Sequence, residues 1–243
     1  MSADRAMRAR SLLLPAVFAL AAFAFLMSLG FWQLQRLAWK EGLLAQIAER
    51  LNAPPQPLPS SWSSLSQAAD EYRHVTVKGV FDHDKEAFVF RTAGSGLGEA
   101  GFYVLTPLRL ESGGSILVNR GFVPERLRDP AQRVADQVTG NVTLSGVLRW
   151  PEDRNMFTPS DDPAQHTWYT RDPPAIAKAL GLNDAAVFSL DADPNAQGAV
   201  LRGGATTVNI HNDHLSYAFT WFGLAVTLLV IFALVAWRRL RAG

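Results

Sequence analysis

Two stretches of this chain, Leu12–Leu34 and Leu215–Trp237, contain no charged residue. Each reaches the roughly 20 apolar residues that a helix needs to cross the hydrocarbon of a bilayer. No long uncharged apolar run lies between them, so the pattern predicts two membrane-crossing helices on either side of one large domain. The first run is too long for a signal-peptide core and leads into "GFWQLQRL" rather than a small-x-small cleavage site, so it is expected to stay as an anchor. Beyond it the helical period persists. Leu34, Leu37, Leu44, Ala48 and Leu51 form an apolar stripe, which extends the expected helix to about Arg50. "NAPPQPLPSSWSS" then ends it, because repeated prolines cannot continue a helix.

From Tyr72 the apolar period becomes two. "RHVTVKGVF" puts Val75, Val77 and Phe81 on one face, and "EAFVFRT" and "GFYVLTPLRL" follow, separated by "AGSGLGEA". "SILVNRGF" is a nearly continuous apolar run, the pattern of a strand buried on both faces, and "ESGG" before it marks a hairpin turn. In "VTLSGVLRW", Val142, Leu144, Leu148 and Trp150 share a face; "TWYT" and "TTVNI" are shorter strand candidates. "DPPAIAKALG" predicts one short helix with Asp172 as N-cap, proline in its first turn and Gly181 just past its end. The expected fold is an α+β membrane protein: two transmembrane helices flanking a periplasmic, antiparallel β-rich domain, a small barrel or sheet. Its expected parts are a cytoplasmic tail (1–11), a transmembrane helix (12–34), a helical extension (35–51), a Pro/Ser-rich linker (52–71), the β-rich domain (72–213), a second transmembrane helix (214–237) and a cytoplasmic tail (238–243).

Charge sets the orientation. Arg5, Arg8 and Arg10 precede the first apolar run, and Arg238, Arg239 and Arg241 follow the second. Short arginine-rich flanks stay cytoplasmic, which predicts a bacterial inner-membrane protein with both termini inside and residues from about Gln35 to Asp213 outside. Trp32, Trp39, Tyr217, Trp221 and Trp237 sit near the ends of the spans, like an aromatic belt facing membrane lipid. A net charge of +1 gives no reason to expect a nucleic-acid partner. The absence of cysteine excludes disulfides, thiolate metal sites and covalent haem attachment through C-x-x-C-H.

No motif points to catalysis. "GLGEAG" matches G-x-G-x-x-G, but a strand follows where a dinucleotide fingerprint needs a helix, so it reads as a hairpin loop. Asp82, His83 and Asp84 are adjacent in sequence and read as a solvated turn rather than a metal site. No catalytic residue is assigned, and the chain is read as a non-enzyme. "VNRGFVP" ends a buried strand with Asn119, Arg120 and Gly121. Arg120 has two readings of equal weight: a buried polar network at a strand end, or a side chain emerging to bind an acid.

One helix face does carry candidate chemistry. His214, Ala218 and Trp221 are spaced four and three apart and share a face, with Tyr217 beside it and Ala218 leaving a shallow notch. The first run ends at the same height with Trp32, and Arg36 lies one turn further out. Imidazole nitrogen ligates iron, aromatic walls suit a flat macrocycle and arginine suits propionates, so His214, Tyr217, Trp221, Trp32 and Arg36 form a candidate haem site with His214 as the metal ligand. The bland alternative is an interfacial aromatic belt. His211, three residues earlier, offers a two-histidine clip, which is less favoured because it precedes the expected helix.

The order of "GFWQLQRLAWKEGLL", "GVF…FVFRT", "GFYVLTPL", "ILVNRGFVP" and "NDHLSYAFTWFGLA", from about Gly30 to Ala225, resembles the surfeit locus protein one family. Those proteins are assembly factors for cytochrome c oxidase. The resemblance implies a role in bringing haem a to the catalytic subunit of a haem-copper oxidase, with haem a as a transiently bound cofactor. It maps the family's proposed histidine ligand onto His214. The oxidase catalytic subunit is the implied partner, and haem a synthase a further one. Phe122 and Phe222 stand where the family pattern has other aromatic residues. The competing readings are an assembly scaffold without haem and a membrane-tethered periplasmic enzyme.

Overall fold

The structure is a computed structural model that describes residues 2–93, 98–194, 200, 201, 203 and 212–241; for residues 2–10 it describes the backbone alone. The "TTVNI" strand candidate, His211 and most of the "AGSGLG" loop lie outside the described residues. The chain forms two compact units, Met1–Gln46 with Asn209–Gly243, and Ile47–Val208.

The first unit contains two long helices. Helix α1 spans Ser2–Asn52, and its described apolar positions are mostly exposed, among them Leu13, Leu14, Val17 and Phe18. The last helix, α4, spans His214–Arg241 and likewise turns Phe219, Val226, Val230 and Ile231 outward. Both are long and apolar enough to cross a membrane.

The second unit is a β domain. After strand β1 (Gln56–Pro57) and the one-turn helix α2 (Gln67–Asp70) come β2 (His74–Phe81), β3 (Ala87–Arg91), β4 (Gly101–Leu110), β5 (Ser115–Pro124) and β6 (Asn141–Arg149). β7 (Thr167–Trp168), helix α3 (Pro173–Ala179) and β8 (Ala185–Ala192) complete it. The strands β2–β6–β8–β5–β4 are neighbours in that order, and β4 also pairs with β2, so the ring closes. In order of appearance this is a five-stranded Greek-key barrel of the OB type, with its third and fifth strands side by side. β2 meets β1 at Val75 and Thr76 and β4 at Gly79–Phe81; β4 meets β3 at Gly101–Leu105 and β2 at Leu108–Leu110. Sharing one edge between two partners lets a short sheet curl shut.

The closed barrel agrees with the period-two segments, and the β4–β5 hairpin lies where "ESGG" placed it. The expected antiparallel pairing holds for β2–β4, β2–β6, β3–β4, β4–β5 and β6–β8, but not for every pair. β5 and β8 are parallel, as are β1 with β2 and β3 with β7. The physical reason is β8, which the sequence reading did not assign. It follows α3 and slots between β5 and β6, and only a strand arriving from that direction runs alongside β5.

The barrel interior is filled by Val75, Val77, Ile116, Val118, Leu144, Phe188 and Leu190, among others. Leu117 points the other way, into a second core with Trp168 and Ile176, so β5 is buried on both faces, as its unbroken apolar run predicts. α3 covers that outer face; Asp172 caps it by accepting the Ala175 N–H at 3.1 Å. The stretch read as a linker is packed: Leu58, Trp62 and Leu65 lie against the barrel core.

Candidate functional site

In the first unit, α1 and α4 meet through small residues. Ala218 and Ala225 are buried at 1% and 0% exposure, and a Cβ on Gly30 would lie 2.4 Å from the Phe222 ring. Small side chains let two apolar helices approach closely. Ala218 is therefore a packing contact, and the notch expected there is closed. Phe31 meets Phe222 edge to face at 5.5 Å.

His214 opens α4 on this same face, half-buried, and its Nδ1 lies 2.7 Å from Oε1 of Gln33. Gln33 is 8% exposed although it stands in an apolar helix. Trp221 shares the face and is half-buried, while Tyr217 flanks it at 54% exposure. Trp32 is 54% exposed and, two residues past Gly30 at 100° each, lies on the side of α1 turned away from the contact. Arg36 is exposed, with its guanidinium 3.9 Å from the Trp39 ring centre. Of the five candidates, His214, Trp221 and Tyr217 are grouped on α4; Trp32 is not brought to them, and Arg36 is stacked on Trp39.

A single imidazole would suit an iron macrocycle better than a bare ion. One ring nitrogen of His214 is engaged by Gln33, so Nε2 is the atom that could ligate. Among the described residues no group of three or more His, Asp and Glu side chains is placed to hold a bare metal ion. A macrocycle has no room where Ala218, Ala225 and Gly30 are closed.

In the β domain, Ile116, Val118 and Arg120 alternate inward along β5, and Arg120 is 3% exposed. Its guanidinium lies 3.6 Å from Glu86, donates to the Asp136 carbonyl and sits 4.8 Å from the Phe81 ring centre. Glu86 is also gripped by Arg133, accepts from Thr106 Oγ1 at 3.4 Å and lies 3.7 Å from His83. Of the two readings of Arg120, the structure supports the buried network. Burial lowers the Arg120 value and outweighs the attraction of Glu86 and Asp136. A cavity of about 280 Å³ borders Arg120, Phe81, Val118 and Asp193.

Asn119 faces the other layer and donates to Asp191 at 3.0 Å, while its Oδ1 accepts the N–H of Gly121, whose φ of +130° a side chain would resist. Asp191 in turn holds Arg171 at 3.0 Å and Arg149 at 3.3 Å. Glu152 bridges Arg91 at 2.7 Å and Arg171 at 3.2 Å. Burial alone would raise the Glu152 carboxyl, but Arg171 and Arg91 together hold it below the usual range. A depressed folded-state value stabilises the fold above the unfolded value of about 4.3, and that share is lost as pH falls through the folded value. The urea midpoint of the wild type is therefore expected to drop more steeply below about pH 4.3 than that of Glu152→Gln. Parallel profiles would remove Glu152 from the acid response.

The sequence reading missed Gln33, Glu86, Arg133 and Asp136. Gln33 had a usable signal, a polar amide inside an apolar span. The other three had none, because their partners lie far away along the chain.

The SURF1 family model matches residues 20–226. Surfeit locus protein 1 of Rattus norvegicus is 40% identical over 209 residues, which cover 81% of this chain and 67% of the rat protein. The Homo sapiens protein of that name is 38% identical over 214 residues, 81% of this chain and 69% of its own. A SURF1-like protein of Monosiga brevicollis is 39% identical over 210 residues, 82% of this chain and 79% of its own.

Proposed function

Because this chain belongs to the SURF1 family, we propose that it is a non-catalytic assembly factor for a haem-copper (cytochrome c) oxidase. In this reading it holds haem a through His214 at the outer surface of a bacterial inner membrane and aids insertion into the oxidase catalytic subunit. α1 and α4 cross the bilayer, which accounts for the Leu, Val, Ile and Phe side chains they turn outward. The arginines at both chain ends stay cytoplasmic, and the β domain lies outside.

The observation that carries the proposal is His214 itself: a half-buried imidazole at the start of α4, with Nδ1 engaged and Nε2 without a hydrogen-bond partner among the described residues. Bound haem would supply a coordination bond that aromatic contact alone cannot replace. Tyr217 and Trp221 offer ring surface along the same side of α4.

The test is the Soret-to-protein absorbance ratio of full-length protein purified in detergent from cells that make haem a. His214→Ala is expected to lower it sharply while leaving insertion intact, because alanine suits a helix at this position. His214→Met is expected to retain part of it with a shifted spectrum, since a thioether also ligates iron. Wild-type occupancy in His214→Ala would take the histidine out of the site.

One observation favours a scaffold without haem. Met156 and Phe157 are 89% and 85% exposed, on a loop braced by Arg154 to Asp161 at 2.6 Å and by Asn155 to the Phe157 N–H at 2.9 Å. Adjacent, preorganised Met and Phe side chains suit a protein partner. Colourless protein that still co-purifies with the oxidase subunit would put that reading ahead.

A further inference from the structure

A glutamine buried in an apolar helix is costly unless its amide is hydrogen-bonded, and such residues in spans usually mark function. Gln33 lies on the face of α1 that carries Gly30, and its Oε1 is 2.7 Å from His214 Nδ1. A carbonyl oxygen only accepts. Nδ1 must therefore carry the proton, and in a neutral imidazole Nε2 then holds the lone pair. In water the free side chain prefers the opposite tautomer, with the proton on Nε2 and that nitrogen closed to a metal.

We propose that Gln33 is a positioning residue for His214. It selects the Nδ1–H tautomer, fixes the ring plane through a contact between residues 181 positions apart, and presents Nε2 as the ligating atom. A hydrogen bond to the far nitrogen also makes the near one more basic towards iron. This role rests on the haem reading for its purpose, but the tautomer is a property of the protein without haem. Neither small-residue packing nor an aromatic belt calls for a glutamine here.

The test uses the full chain in detergent, made without haem and labelled with ¹⁵N-histidine. The chain has five histidines, and the His214 signals are assigned by their loss in His214→Ala. Under alkaline conditions the wild type is expected to show a protonated Nδ1 and a bare Nε2. Gln33→Leu should shift the population towards Nε2–H, and Gln33→Glu, which restores an acceptor, should return it. In cells that make haem a, Gln33→Leu should weaken haem affinity by about 10-fold or more, the usual cost of losing such a partner, with Gln33→Glu retaining more. A wild type already protonated at Nε2, or a tautomer ratio unchanged in Gln33→Leu, overturns the proposal. Failure of the haem reading appears separately, as wild-type Soret occupancy in His214→Ala.

Discussion

Glu86→Ala is expected to lower the stability of the β domain by about 3–5 kcal/mol, the usual effect of breaking a buried ion pair from one side. Glu86 is 3% exposed, and the side chains of Arg133 and Arg120 are 0% and 3% exposed. One carboxylate thus faces two guanidiniums in a dry place, with Thr106 and His83 beside it. Removing it leaves both cations without that countercharge. Asp136 still attracts Arg120, but it is one charge for two guanidiniums, and its carboxylate is turned to the N–H groups of Val200 and Leu201 at 3.0–3.4 Å. Arg120→Leu should be milder, since Glu86 keeps Arg133. Urea unfolding of the full chain, followed by tryptophan fluorescence, gives both midpoints. An equal or larger loss in Arg120→Leu would show that Arg120, rather than Glu86, is the centre of the network.

Gly79→Val is expected to open the seam that closes the barrel. Gly79 pairs with Leu110 where β2 meets β4, and a Cβ there would lie 2.1 Å from the Arg109 carbonyl oxygen. The obstacle is backbone, so no rotamer change relieves it. Overpacking costs about 1–3 kcal/mol, and this site should reach the upper end. Gly42→Ala is the control: nothing lies within 4 Å of its Cβ position, and alanine in a helix gains roughly 0.5–1 kcal/mol over glycine. If Gly79→Val unfolds at the wild-type midpoint, the β2–β4 pairing does not carry the closure.

The candidate site was legible in part. The spacing His214, Ala218, Trp221 places one face of α4 correctly, because a helix repeats every 3.6 residues whatever surrounds it. What Ala218 does on that face was not legible. A small residue reads as a notch in one helix and becomes a contact once a second helix lies on it. Trp32 and Arg36 were chosen by their height along α1, but height says nothing of which side a residue faces across a helix pair. Arg120 illustrates the same limit: its place at the end of a buried strand was clear, while the acid it needed, Glu86, lies on the loop before β3.

Local chemistry along the chain determined the two long helices, the period-two strands, the β4–β5 hairpin and the capped helix α3. Each depends on neighbours within a few residues, through backbone sterics and side-chain period. Tertiary structure alone decided the parallel entry of β8 between β5 and β6, the closure at Gly79 and Leu110, the sharing of Glu86 by two arginines, and the meeting of Gln33 with His214. These contacts join residues 31 to 181 positions apart. Their register is set by which apolar faces can be buried together, a property of the packed whole that no window of sequence contains.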